Sequence, residues 1–152
     1  MIAVIQRVSK AVISVDGSQI SEIDKGLLIL LGIMSDDDET DCRFLHEKII
    51  NFRIFNDDNA KMNLSLKDIK GEVLIVSQFT LCGNWLKGRR PSFIGAAAPE
   101  LGERLYDLFI KYMKSENIST KTGRFGAMME VSLVNDGPVT FVLDSNIKKA
   151  NK

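Results

Sequence analysis

The feature that most constrains the fold is an uninterrupted apolar run, LLILLGI at 27–33. Successive side chains of an extended strand point to opposite faces of the sheet, so this strand would be apolar on both faces. The run, extended by one residue to 34, is far shorter than the ~20 residues that a membrane helix needs. It therefore predicts a central strand of a sheet that is covered on both sides.

The segment before this run has the two-residue period of half-buried strands. IAVIQRV and VISV alternate apolar and polar residues, Asp16-Gly17 predicts a turn, and ISEI predicts a short strand. Farther along, EVLIVSQFTL at 72–81 predicts another buried strand that runs into polar residues. The first half of the chain is therefore expected to be rich in β-structure.

The best alternating pattern lies at 132–145, SLVNDGPVTFVLDS, and it is interrupted by Gly137-Pro138. Proline cannot complete a strand ladder and is poorly tolerated in a central strand. The segment therefore predicts two strands, one on each side of the Gly-Pro, which by itself is compatible with an ordinary turn.

Two helices are predicted. Ser35 can cap a helix over 36–53, where the acidic residues at 36–39 complement the helix dipole. Pro99 suits the first turn of a second helix. A long loop over 82–99, rich in glycine, small and basic residues, separates that helix from the strand before it. The apolar faces are Cys42, Leu45, Ile49 and Phe52 in the first helix, and Leu101, Leu105, Leu108, Phe109 and Tyr112 in the second.

Composition narrows the classes of function. The 152 residues, 45% of them hydrophobic, suffice for one domain with a real core. Twenty basic and twenty acidic residues cancel, so any RNA contact must come from a local patch such as Lys87, Arg89 and Arg90, which is equally compatible with a solvated loop. Two cysteines favour reduced thiols, and the start MIAVIQRVSK lacks a signal-peptide pattern, so a cytoplasmic protein without a membrane partner is expected.

Conventional side-chain catalysis finds little support in this sequence. His46 is the single histidine and lies beside the apolar face of the first predicted helix, which favours a structural role. The sequence has no G-x-S-x-G, no Walker A loop, no G-x-G-x-x-G and no metal-ligand spacing, so we expect no metal and no cofactor. Ser77, Gln78 and Thr80 could hold a carbonyl oxygen or a developing oxyanion, or could simply satisfy a strand end.

The whole chain to about Asp144 resembles the D-aminoacyl-tRNA deacylases. The resemblance is carried, in order, by MIAVIQRVSKA, FRIFNDDNAKMN, SQFTL, RRPSF, TGRFGA and SLVNDGPVTF, and the pairing of SQFTL with NDGPVT is its most specific part. It implies a mixed α/β, three-layer fold of two packed β-sheets with helices on one face. It also implies a single domain over 1–152, with a core at about 1–144 and a short polar tail.

The same resemblance implies an activity and an assembly. The activity is hydrolysis of the ester bond of D-aminoacyl-tRNA, which releases free D-amino acid and tRNA without metal or organic cofactor, and also removes glycine mischarged onto tRNA(Ala). The assembly is a homodimer with active sites at the subunit interface. In this family the Gly-Pro bond is cis, and the motif reaches into the partner's active site, where its carbonyls bind the amino group and exclude an L side chain.

Residue roles follow from the matching motifs. The resemblance implies that the catalytic residues Ser77, Gln78, Phe79 and Thr80 form the floor of the active-site pocket, where the ester carbonyl binds. The implied substrate-binding and chirality residues are Gly137, Pro138, Arg7, Phe125 and Met129, with Arg7 bracing the Gly-Pro segment and the last two lining the pocket. Thr80 has no visible general base, which favours attack by water assisted by a ribose hydroxyl of the terminal adenosine.

Four positions depart from the commoner family pattern: Cys82, Trp85, Met128 and Glu130. They leave open the preferred amino acids and the details of tRNA contact. Two alternatives to the main interpretation also stay open at this point. One is a related deacylase with a trans Gly-Pro bond and relaxed chirality, and the other is an RNA-binding module without hydrolytic activity on the same fold.

Overall fold

The computed structural model describes residues 1–147, and residues 148–152 of the expected polar tail lie outside the described residues. The elements in chain order are β1 Ile2–Val15, β2 Ser18–Ile23, β3 Gly26–Gly32, α1 Glu39–Ile50, β4 Phe55–Asn56, β5 Met62–Leu64, β6 Glu72–Ser77, a 3₁₀-helix Phe79–Cys82, α2 Pro99–Ser115, β7 Ser119–Thr122 and β8 Glu130–Asp144. Neither α-helix in this part of the chain has the length and apolar character needed to cross a bilayer.

Strand β3 lies in the middle of a six-stranded sheet, as the apolar run predicts. The order is β2-β1-β3-β6-β7, with β8 paired to β1. β1 pairs antiparallel with β3, and β3 pairs parallel with β6, which places Ile5, Ile29 and Ile75 side by side. Six of the seven residues of β3 are buried, because both faces of this strand are covered.

The sheet bends so that it forms two packed β layers. Ile29 and Ile75 face the helices, whereas the alternate residues Leu28 and Leu74 pack against Ile13 from the far half of β1. β2 comes close enough to β7 for the Ser21 hydroxyl to donate to the Thr122 carbonyl oxygen at 2.6 Å. With α1 and α2 on one side, the mixed α/β fold class is confirmed, although the two layers belong to one hydrogen-bonded sheet. The single-domain expectation stays a prediction.

The prediction of the α1 start is wrong by three residues. The Asp38 carboxylate, not Ser35, caps the helix by accepting from the Thr40 and Asp41 N–H groups, at 2.7 and 3.3 Å. The Asp41 carboxylate accepts in return from the Asp38 N–H at 3.1 Å, which completes a capping box. Ser35 is instead engaged with the later loop, since its N–H donates to the Gly95 carbonyl oxygen at 2.9 Å.

Two further expectations about element boundaries are corrected. β6 ends at Ser77 and is followed by the 3₁₀-helix, because its partner β3 ends at Gly32 and offers no ladder beyond the Leu31–Ser77 pair. The expected pair of strands around Gly137-Pro138 is a single strand, β8. Its pairing with β1 passes from Gln6–Thr140 to Val8–Asn135, so residues 136–139 lie opposite Arg7 alone. They form a protruding segment in which residues 136–138 are exposed and Val139 returns to the core.

Candidate active site

A cavity of about 560 Å³ opens where β6 ends. Ser77 ends the strand, and Gln78, Phe79 and Thr80 follow it into the 3₁₀-helix, so the four predicted floor residues all line this cavity. Phe125 and Met129 line it as well. The remaining lining residues are apolar or glycine: Ile33, Val76, Ala97, Pro99, Gly102, Gly126, Ala127, Met128 and Val131.

The floor of the cavity presents hydrogen-bond donors. The Gln78 side-chain amide donates to the Thr80 hydroxyl oxygen, which leaves the hydroxyl proton free to be donated onward. The first N–H groups of a helix have no partner within it, and those of Phe79 and Thr80 find no acceptor within residues 1–147. Donors of this kind can bind a carbonyl oxygen or a developing oxyanion.

The cavity offers no side chain that could act as a general acid or base. Among residues 1–147 its lining contains no histidine, cysteine, carboxylate, lysine, arginine or tyrosine. Among the described residues that line the cavity, the Thr80 hydroxyl therefore has no titratable side chain beside it. The polar groups of this lining can polarise and orient an ester.

The apolar walls are held in place by packing. The Phe125 ring contacts the Tyr106 ring at a centroid distance of 5.7 Å. The Tyr106 hydroxyl donates to the Ile75 carbonyl oxygen at 2.8 Å, and burial raises the pKa of this phenol, so it stays a neutral donor. A Cβ on Gly123 would lie 2.6 Å from the Met129 sulfur, so this glycine allows Met129 to lie against the backbone.

The sequence analysis missed the contribution of the loop and of the start of α2. Ala97, Pro99 and Gly102 line the cavity, and a Cβ on Gly102 would lie 3.4 Å from the Phe125 ring. The signal that could have located them is the run of small residues at 95–98 before Pro99. Met128, 89% exposed, lies at the rim of the same cavity.

Arg7, Gly137 and Pro138 lie together at a second place and do not line the cavity of their own chain. Arg7 is only 6% exposed. Its Nε donates to the Asp136 carbonyl oxygen at 2.9 Å, and its Nη1 donates to the Ile54 carbonyl oxygen at 2.8 Å. The guanidinium therefore connects the protruding segment at 136–139 to the chain that enters β4.

Hydrogen bonds of the Asn135 side chain hold the two ends of the protruding segment together. The Asn135 side chain accepts from the Val139 N–H at 2.8 Å and donates to the Thr140 hydroxyl oxygen at 2.8 Å. Gly137 has φ +141°, and a Cβ there would lie 2.6 Å from a Val139 methyl group, so this position requires glycine. The Gly137–Pro138 peptide bond is cis, and both residues are exposed.

His46 and Cys42, two reactive side chains outside the cavity, lie in buried surroundings that indicate structural roles. His46 is 5% exposed, and its ring lies 6.4 Å from the Phe109 ring and 5.5 Å from the Tyr112 ring. Burial lowers the pKa of His46 and outweighs the opposing effect of the nearby acid Glu116. Burial also raises the pKa of the Cys42 thiol to about 12. Within residues 1–147 no three His, Cys, Asp or Glu residues are grouped to hold a metal ion.

Comparison with known proteins finds consistent similarity along the chain. Residues 4–144 match the family described as D-Tyr-tRNA(Tyr) deacylase. The "D-aminoacyl-tRNA deacylase" of Thermosipho africanus is 57% identical over 145 residues, which cover 95% of this chain and 97% of that protein. The protein of the same name from Pelobacter propionicus is 57% identical over 144 residues, 95% of this chain and 99% of that one.

Two solved structures share the fold. A structure named c-Myc DNA Unwinding Element Binding Protein has a TM-score of 0.88 and 41% identity, and the match covers 95% of this chain and 98% of that one. A structure described as a probable eukaryotic D-amino acid tRNA deacylase has a TM-score of 0.80 over 93% of this chain and 97% of that one. Its 18% identity makes it a likeness of fold alone.

Proposed function

The chain belongs to the D-Tyr-tRNA(Tyr) deacylase family and is a hydrolase of the D-aminoacyl-tRNA deacylase type, and on this premise we propose that it removes D-amino acids from tRNA. The observation that supports this proposal most directly is the position of SQFTL. Its polar residues form the floor of a cavity whose walls are apolar, at the end of a buried strand. An aminoacyl group fits such a site, with its carbonyl on the floor and its side chain against the walls.

The proposed reaction is hydrolysis of the ester at the ribose of the terminal adenosine. The oxygen of a water molecule bonds to the acyl carbon, and the bond between that carbon and the ribose oxygen breaks. The water proton passes to the leaving ribose oxygen, assisted by the neighbouring ribose hydroxyl, so the products are free D-amino acid and tRNA. The N–H groups of Phe79 and Thr80 stabilise the negative charge on the carbonyl oxygen.

The absence of a general base from the cavity supports this route. Since no titratable side chain lines the cavity within residues 1–147, we assign the proton transfer to the substrate and water. Orientation of the ester, the water and the ribose hydroxyl then supplies most of the rate acceleration. We propose that neither a metal nor an organic cofactor takes part.

Rejection of L-aminoacyl-tRNA is proposed to come from Gly137-Pro138 of a second subunit in a homodimer. The support is that the motif is exposed, protrudes from β8 and does not line the cavity of its own chain. β8 also carries exposed apolar side chains on its outer face, Val134 at 58% and Val142 at 69%. A second copy that covers this face could carry the motif to the partner cavity, where its backbone carbonyls bind the substrate amino group.

The proposed roles of the other residues follow from their contacts. Arg7 positions the protruding segment by binding the Asp136 carbonyl oxygen, whereas Phe125 and Met129 limit the space for the side chain of the amino acid. Glycine has no side chain to exclude, so glycine mischarged onto tRNA(Ala) is also a proposed substrate. A cytoplasmic site of action, where tRNA is aminoacylated, accompanies this proposal.

The decisive assay compares the deacylation of D-tyrosyl-tRNA and L-tyrosyl-tRNA. We expect rapid release of D-tyrosine only. Comparable rates on both substrates would instead indicate a deacylase with relaxed chirality. No release above the spontaneous rate would indicate an RNA-binding module without hydrolytic activity.

A subunit-mixing experiment tests the shared site. A Pro138→Ala subunit and a Gln78→Ala subunit each carry one intact half, so mixed dimers should regain one functional site while each homodimer is impaired. Failure of the mixture to exceed the two homodimers, with dimer exchange verified by mass spectrometry, would contradict the cross-subunit arrangement.

A further inference from the structure

The loop between the 3₁₀-helix and α2 carries a concentrated positive charge. Residues 83–98 contain Lys87, Arg89 and Arg90 and no acidic residue, although the whole chain has a formal net charge of zero. All three cations are exposed, and none forms an ion pair with residues 1–147. Such a local excess is complementary to a polyanion.

An indole side chain projects from the same loop. Trp85 is 77% exposed, whereas a tryptophan usually has most of its large apolar surface covered. It follows Asn84, which pairs with Ser92 through two backbone hydrogen bonds of 2.8 and 2.9 Å. The Asn84 side chain also accepts from the Leu86 N–H at 3.0 Å. The backbone on both sides of Trp85 is therefore held, and the ring is presented to solvent from a fixed base.

The loop is joined to the cavity floor. The ring of Phe93, the residue after Ser92, contacts the ring of Phe79 at a centroid distance of 5.0 Å, and Phe79 lines the cavity. A Cβ on Gly83 would lie 2.9 Å from the Phe93 ring, so the base of the loop is closely packed. The base of this loop therefore borders the floor of the cavity.

We propose that Trp85 stacks on a base of the unpaired 3′ strand of tRNA, next to the aminoacylated adenosine, while Lys87, Arg89 and Arg90 contact its phosphates. This inference rests on the proposed function, because that function places the end of the tRNA in the cavity. An exposed aromatic ring among cations is the usual arrangement for binding single-stranded nucleic acid, and stacking does not require a particular base. Trp85 is thus a binding residue of the substrate RNA, separate from the floor that acts on the ester.

The chain offers a direct readout, because Trp85 is its single tryptophan. The probes are two RNA hairpins that reproduce the acceptor stem and carry no amino acid, one with a single-stranded 3′ end and one with a blunt end. Each is titrated against the wild-type protein while indole fluorescence is recorded. We expect saturable quenching by the hairpin with the single-stranded end and none by the blunt hairpin. Equal quenching by both, or no quenching under conditions where filter binding shows a complex, would overturn the proposal.

Kinetics on D-tyrosyl-tRNA give an independent test. Trp85→Ala should raise the apparent KM about tenfold with little change in kcat, since one stacked base is lost. Trp85→Phe keeps an aromatic face and should restore most of the affinity. Leu86→Ala is the matched control, because Leu86 is 75% exposed beside it and should leave KM unchanged. An unchanged KM in Trp85→Ala would refute stacking while leaving the deacylase function intact.

A second copy of the chain is the competing occupant of this surface. Acrylamide quenching of the free protein across its concentration range distinguishes the two, since Trp85 should stay fully accessible until RNA is added. Protection that grows with protein concentration alone would assign the ring to a subunit interface and overturn the inference. If the hairpin with the single-stranded end quenches Trp85 but no ester is cleaved, the RNA site stands and the deacylase function fails.

Discussion

Replacement of Arg7 tests the link between the fold and the proposed chirality residues. Its side chain lies between two backbone carbonyls that are far apart in sequence, those of Ile54 and Asp136. One side chain can serve both carbonyls because the guanidinium fork donates in two directions at once. Arg7→Ala therefore frees the protruding segment at 136–139 and leaves the Ile54 carbonyl without its charged donor.

The size of the effect can be worked out from burial. Ile54 is 2% exposed, so its carbonyl cannot recover a full bond to water, and an unsatisfied buried acceptor costs about 1–3 kcal/mol. The Asp136 carbonyl lies on an exposed segment and can be solvated. The ion pair between Nε and the Asp136 carboxylate, 3.4 Å long with the acid 49% exposed, adds little. With the lost packing of the arginine stem, we expect a total loss of about 2–4 kcal/mol in the free energy of unfolding.

Two assays measure the two consequences. Urea unfolding should show a lower midpoint for Arg7→Ala at an unchanged slope. The ratio of kcat/KM for D- over L-tyrosyl-tRNA should fall by about tenfold, which corresponds to ~1.4 kcal/mol of lost discrimination. Arg7→Met keeps the length of the stem without its donors, so it isolates the hydrogen bonds if Arg7→Ala fails to fold. Lys10→Ala, on the same strand but in an exposed pair with Glu22, is the control for a lost surface cation.

The reasoning is refuted if Arg7→Met unfolds like the wild type and keeps its D/L ratio. That result would mean that neither carbonyl depends on the guanidinium. A variant that loses stability but keeps discrimination would restrict Arg7 to a structural role.

Four further predictions concern the reaction, the RNA contact and pH. Thr80→Ala should keep measurable deacylation, and a covalent aminoacyl adduct on Thr80 would contradict attack by water. Chelators should leave activity intact on prefolded substrate, and activity that EDTA abolishes and zinc restores would contradict a metal-free site. Arg89→Ala combined with Arg90→Ala should raise KM more than it lowers kcat and should weaken the salt dependence of binding. If neither KM nor the salt dependence changes, the loop is simply solvated and does not contact RNA. The buried His46 has a pKa below its ordinary 6.5, so the unfolded chain binds the proton first. The free energy of unfolding should therefore decrease as the pH falls below about 6.5, by up to ~1.4 kcal/mol per pH unit, and urea titrations should show a shallower decrease in His46→Phe.

The sequence analysis located most elements because their signals are local. The apolar run at 27–33 belongs to the central strand β3, and Pro99 begins α2. The helix cap was misplaced because Ser35 and Asp38 are both acceptable caps by residue type. In the structure the Ser35 N–H binds the distant Gly95 carbonyl oxygen, and the helix begins after Asp38. A local pattern does not contain such a distant partner.

The candidate site, too, was predicted in part from local sequence, and the rest was decided by the tertiary structure. Ser77 to Thr80 were identifiable because polar residues directly follow a buried strand, and recognition of SQFTL pointed to the same place. Only the tertiary structure decided that Pro99 and Gly102 share their cavity, since the loop and α2 arrive there from far along the chain. The same holds for Arg7, which the family motif marked as a brace. Its partners at Ile54 and Asp136 depend on a register shift between β1 and β8 that leaves residues 136–139 opposite a single residue. Strand period follows from each residue and its neighbours, whereas register and long-range hydrogen bonds follow from which surfaces are buried together when the whole chain packs.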